Sequence, residues 1–76
     1  MNNKRRELLG RAVSAMNEAE RYTSMALDEE QECLDNMPEN LYESDGYAKM
    51  ESAIENLESA LENISGAVDC IMEASS

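Results

Sequence analysis

Seventy-six residues with no Phe, no Trp and 42% apolar side chains allow one small domain, whose own core supplies only a few kcal/mol. Seventeen acids against six bases leave a net charge of −11, which repels phosphate backbones and anionic lipid and disfavours direct nucleic-acid or membrane binding through the body. With no His, no Gly-rich phosphate loop and no base beside any Ser, no catalytic constellation forms, and the chain is expected not to be an enzyme.

The charge is uneven along the chain. Residues 1–16 hold Lys4, Arg5, Arg6 and Arg11 against Glu7, a local +3, whereas residues 17–76 hold the other sixteen acids against Arg21 and Lys49, a net of −14. The opening Met1–Arg6 has the charge of a secretory n-region, but Glu7, Gly10, Arg11 and Ser14 interrupt the next stretch, so no h-region develops. No apolar run approaches the ~18 residues of a membrane span. These features predict a cytoplasmic protein.

The first predicted element is a helix from about Asn3 to about Asn36. With Leu9 at heptad position a, the a positions are Leu9, Met16, Thr23, Glu30 and Met37, and the d positions are Ala12, Ala19, Ala26 and Cys33. Val13, Leu27 and Leu34 add a flank at e. The pattern predicts one buried and one wet face, with Cys33 a small core residue. Thr23 and Glu30 are polar misfits in this seam, a device that fixes register or oligomer state at some cost in stability. Lys4, Arg5 and Arg6 stand where they can offset the negative C-terminal end of an antiparallel second helix.

Punctuation lies between Asn36 and Gly46. Pro38 cannot continue the helix and disfavours the α region for Met37. Pro38-Glu39-Asn40-Leu41 suits a short helical turn, and Ser44 or Asp45 is the expected N-cap of a second helix. Leu41 and Tyr42 are the apolar residues expected to plug this end.

The second predicted helix, about 46–74, carries the strongest pattern in the chain. Tyr47, Met50, Ile54, Leu57, Leu61, Ile64, Val68 and Ile71 recur at alternating spacings of three and four, an unbroken heptad seam. Ala53, Ala60, Ala67 and Ala74 form a ladder beside it, matching Ala12, Ala19 and Ala26 of helix 1. The fold class is therefore all-α: residues 1–76 form a single antiparallel helical hairpin, coiled-coil-like, with its turn at about 37–45. Two helices leave the flanks uncovered, so a homodimer forming a four-helix bundle is expected, with Met50, Ile54, Leu57, Leu61, Ile64, Val68 and Ile71 as the oligomer seam. Antiparallel closure is expected to bring Arg11 near Asp69 and Glu73, and Arg21 near Glu58 and Glu62, in weak surface pairs.

No candidate for chemistry survives inspection. In the hairpin Cys33 and Cys70 are about 20 residues apart along the axis, on the order of 30 Å, too far for a disulfide, and no cation stands by to activate Cys70. Glu51, Glu55, Glu58 and Glu62, with Asp69 and Glu73, share a helix face as di-iron ligands do, but the accompanying His is missing, so a solvated face is expected and no metal. A calcium loop starting at Asp35 fails, because Asn40 stands at its sixth position and Gly46 at its twelfth. Alanine-rich seams leave little room for a small-molecule pocket, and no cofactor is expected.

The stretch Asp35-Asn36-Met37-Pro38-Glu39-Asn40-Leu41, with Ser44, Tyr47 and the Glu-rich Ile/Leu heptad, resembles a pattern in small acidic helical-hairpin proteins of bacteriophages and mobile elements, across roughly residues 28–64. That resemblance implies a genomic setting and a bacterial host cytoplasm, with no catalytic residues to carry over. The expected function is a non-enzymatic, acidic protein-binding module: an inhibitor that occupies a basic, nucleic-acid-binding surface of a host defence protein as a DNA mimic. Its acidic face would comprise Glu51, Glu55, Glu58 and Glu62 with Asp28, Glu29 and Glu32. Two bodies of −14 along roughly 50 Å would carry about one charge per 1.8 Å, close to the ~1.7 Å of a duplex. The alternative is a self-assembling structural or adaptor bundle, in which charge only maintains solubility.

Overall fold

The computed structural model describes all 76 residues and contains helices and no strands. Helix α1 spans Asn3–Asp35, a single 3-10 turn spans Glu39–Leu41, and helix α2 spans Asp45–Ser75. The two helices lie side by side as a hairpin whose backbone measures 59 × 15 × 13 Å. It is a rod one helix thick and two helices wide.

Each boundary has a local cause. Asn2 caps α1, its side-chain oxygen accepting from the Arg5 N–H at 2.9 Å, which satisfies one of the donors a helix start leaves free. At the other end the Asn36 N–H donates to the Glu32 carbonyl, and the Met37 N–H to that of Leu34. Pro38, extended at φ −63° and ψ 145°, has no N–H to continue the ladder. Its carbonyl then accepts from the Leu41 N–H at 2.9 Å, closing the 3-10 turn. Ser44 joins that turn to α2: its hydroxyl donates to the Leu41 carbonyl at 2.6 Å and accepts from the Tyr47 N–H at 3.2 Å.

The open end is tied across the hairpin. Arg6 Nε donates to the Ser75 carbonyl at 3.1 Å, placing a cation on the negative end of α2, where it is favoured. This contact fixes the register: residues that face each other have numbers summing to about 81–82.

On α2 the buried stripe is the heptad seam. Ile54, 7% exposed, is the one fully buried residue in the chain, and Tyr47, Met50, Leu57, Leu61, Ile64, Val68 and Ile71 are half-buried around it. On α1 the stripe differs from the a/d reading. Leu9, Val13, Met16, Thr23, Leu27, Glu30, Leu34 and Met37 are half-buried, as are Ala12, Ser24 and Gln31 on their flanks, whereas Ala19, Ala26 and Cys33 are exposed and the e stripe is interrupted at exposed Glu20. Helix α1 thus turns its a and e positions inward, and Cys33 is not a core residue. Both stripes keep the 3-4 spacing, so periodicity permits either. Burying Val13, Leu27 and Leu34 in place of Ala19, Ala26 and Cys33 removes several more methylenes from water, at roughly 0.8 kcal/mol each.

That rotation also decides the ion pairs. Arg11 now lies opposite the seam, out of reach of Asp69 and Glu73, and pairs with Glu7 of its own helix at 3.4 Å. Arg21 lies over the Tyr22 ring, 4.7 Å from its centroid, and does not reach Glu58 or Glu62. No ion pair crosses between the helices. At the turn, Leu41 and Tyr42 stay exposed. Half-buried Met37 and Tyr47 fill that end, with the Tyr42 ring tilted by 39° against Tyr47 at 5.0 Å between centroids.

Ile54→Ala should remove about 2–4 kcal/mol, enough to shift the thermal midpoint by many degrees in so small a domain. Met72→Ala, at a position 58% exposed, should change stability by less than about 0.5 kcal/mol; melting followed by circular dichroism checks both. Ser44→Ala should cost about 1–2 kcal/mol. Ser44→Asp, which accepts from Tyr47 but gives no hydroxyl to Leu41, should recover only part of that loss.

Candidate functional site

A hairpin of two helices has two long sides, one above and one below the plane of the helix axes, and the sequence makes them different. A groove of about 320 Å³ at the open end, lined by Arg6, Leu9, Gly10, Met72 and Ser75 among others, shows that Gly10 and Met72 lie on the same side of the seam. Successive residues turn by about 100° around each axis, so these two fix the side of every other position. The Gly10 side carries Asn17, Ser24 and Gln31 on α1, and Glu51, Glu55, Glu58, Glu62 and Asp69 on α2. The opposite side carries Ala12, Ala19, Ala26 and Cys33, three of which (Ala12, Ala26 and Cys33) stand one residue before a half-buried seam residue of α1. Beside them lie Ala53, Ala60, Ala67 and Ala74, set in the same way on α2.

The acidic residues singled out from the sequence are all exposed, but they do not form one face. Glu51, Glu55, Glu58 and Glu62 form a straight stripe along the polar side of α2, about 17 Å long. Asp28 borders that same side from α1. Glu32 points off the back of α1, and Glu29 lies at the outer edge of the alanine side. The heptad residues Met50, Ile54, Leu57, Leu61, Ile64, Val68 and Ile71 face α1 within the hairpin.

Charge is also sorted by length along the rod. The turn end, residues 28–51, holds nine acids and Lys49, a net of −8. The open end, residues 1–16 with 66–76, holds four bases and three acids, a net of +1. Helix α1 has bases in its first turn and Asp35 in its last, the reverse of what the helix macrodipole favours. The basic start and the acidic body are plain in the local charge counts; that they oppose each other within one helix follows from α1 running unbroken from Asn3 to Asp35.

No group of three or more His, Cys, Asp or Glu residues is placed to hold a metal ion, and no helix is long and apolar enough to cross a membrane. Both thiols, Cys33 and Cys70, are free and exposed. What the surface offers is therefore charge and shape: an acidic stripe on one side, and a nearly uncharged alanine side on the other.

Partial burial pushes the Tyr47 phenol above its usual value of 10.0, and the negative charge of Glu51, the Tyr42 phenol and Asp35 push it the same way. The folded state thus holds this proton more tightly than the unfolded chain does. Its contribution to stability is complete below about pH 10 and is lost as pH rises through the raised value. Phenolate absorbance should show one Tyr titrating late, absent in Tyr47→Phe, and the melting temperature above pH 10 should fall more steeply in the wild type than in that variant.

No family model matches the chain, and no curated protein or solved structure matches it.

Proposed function

We propose that the chain is a non-enzymatic acidic protein-binding rod that occupies a basic surface on another protein, acting in a bacterial cytoplasm as an inhibitor that competes with nucleic acid for that surface. The supporting observation is unneutralised negative charge in extended form. The chain has seventeen acids and a single ion pair, spread over a backbone 59 Å long. The Glu51, Glu55, Glu58 and Glu62 stripe is the best-ordered part of that charge, because all four carboxylates stand on one side of one helix.

The resemblance to a duplex is partial. A net charge of −11 over 59 Å is about one charge per 5 Å, and two rods side by side carry about one per 3 Å, sparser than the ~1.7 Å of DNA. The density expected from sequence is higher because it sets aside the basic residues 1–16, which share the same length of rod. Recognition would rest on the local stripe and the acidic turn end rather than on average density. The likeness of the Asn36–Leu41 turn to phage and mobile-element hairpins favours a host defence protein as the target.

A second reading, a self-assembling structural or adaptor bundle, is favoured by the alanine side, where Ala19, Ala26, Cys33 and Ala74 are exposed and Ala12, Ala53, Ala60 and Ala67 only half-buried. A homodimer is part of both readings.

Capture of a basic partner should weaken at least tenfold between 50 and 200 mM salt, on the order expected when several charge pairs are screened. Added duplex DNA should displace the protein, and Glu55→Gln with Glu58→Gln should weaken capture further. Binding indifferent to salt, to DNA and to these neutralisations would leave only the assembly reading.

A further inference from the structure

We propose that the alanine side of the rod docks a second copy of this chain with the two rods antiparallel, so that the open end of each lies beside the acidic turn end of the other. The proposal rests on the dimer reading above and adds to it the face and the direction.

The first argument is area. A compact monomer of 8.5 kDa is expected to expose about 4,700 Å², whereas this chain exposes 5724 Å². The excess, about 1,000 Å², exceeds the ~800 Å² that each partner contributes to an interface of standard size. The monomer therefore has enough uncovered surface for one such contact.

The second argument is which surface it is. The two stripes of the alanine side, Leu8 to Cys33 on α1 and Lys49 to Ala74 on α2, include only two charged residues, Glu29 and Lys49. Their charges cancel in a chain of net −11, so this is the side on which two copies approach with least repulsion. Its alanines permit interaxial distances near the short end of the ~8–10 Å range. Leu8 and Tyr22, 55% and 56% exposed, are the large apolar residues on it, Tyr22 with only Arg21 over its ring.

The third argument is direction. Parallel rods would set the two −8 turn ends together, whereas antiparallel rods set each −8 end beside a +1 end. Reversal about the rod's midpoint, near residue 20 of α1, brings Tyr22 over Ala19 of the second copy and Leu8 over its Cys33, large against small in both cases. It also brings Glu29 beside Arg11 of the second copy. Lys49 then lies beside the last turn of the other α2, where a cation is favoured. The reversed charge order of α1, unfavourable within one helix, becomes complementary between two.

The native thiols report the arrangement. Within one chain Cys33 and Cys70 are separated by about 30 Å along the rod, whereas in the antiparallel dimer Cys33 of one copy comes within about 8 Å, along the axis, of Cys70 of the other. Light scattering should give a dimer. Ala19→Glu and Ala26→Glu, both at exposed helical positions where Glu is well tolerated, should weaken it at least tenfold with helicity retained by circular dichroism, while Glu58→Lys on the polar side should not. A flexible bismaleimide should trap a covalent dimer in the wild type, and both Cys33→Ser and Cys70→Ser should abolish it. A wild-type monomer at micromolar concentration would overturn this proposal together with the dimer reading. A dimer indifferent to Ala19→Glu and Ala26→Glu would overturn the face alone, and a covalent dimer persisting in Cys70→Ser would overturn the direction.

Discussion

A single line of side chains between two helices holds this structure together. Cross-section leaves no alternative: in a rod one helix thick, each helix has one neighbour and can hide one stripe. The stripe on α2 runs from Tyr47 to Ile71 and yields one fully buried residue, Ile54. The remaining features are consequences of that economy. Charged residues other than the half-buried Glu30 face outward because there is nowhere else for them. The flanks stay bare, and among the acids only Glu7 has a cation within reach.

Much of this was legible in the sequence. The α2 seam, the stop at Pro38, the Ser44 cap and the pairing of a basic start with the end of α2 are each set by a few neighbouring residues with one physical role. Helix α1 was harder to read. Leu9, Met16, Thr23 and Glu30 belong to two overlapping stripes, one completed by Ala12, Ala19, Ala26 and Cys33, the other by Val13, Leu27 and Leu34. Spacing cannot choose between them; side-chain size does. The expected contacts of Arg11 and Arg21 depended on the first stripe and were lost with it. The acidic residues were legible as exposed but not as a surface, because membership of one face depends on the rotation of each helix about its own axis.

The two long sides differ in a way that composition hides. One bears carboxylates at nearly every turn of α2; the other is alanine, with Asn56 and Asn63 among the small residues. A net charge of −11 is thus an average over a surface that is strongly acidic on one side and nearly neutral on the other. Two different kinds of contact can coexist on such a rod without competing for the same residues, and this lets a partner-binding role and self-association stand together.

The register set by Arg6 and Ser75 has a kinetic meaning. Because facing residues have numbers summing to about 82, the sequence separation of each contact grows steadily from the turn to the open end. Closing each successive pair from the turn outward adds little to the loop entropy already lost, which favours an order of assembly that starts near Ser44 and ends at the termini. Opening runs the other way. On that order, the helix ends near Leu9 and Ile71 can part in a short partial opening, whereas the segments near Leu34 and Met50 part only with the whole rod.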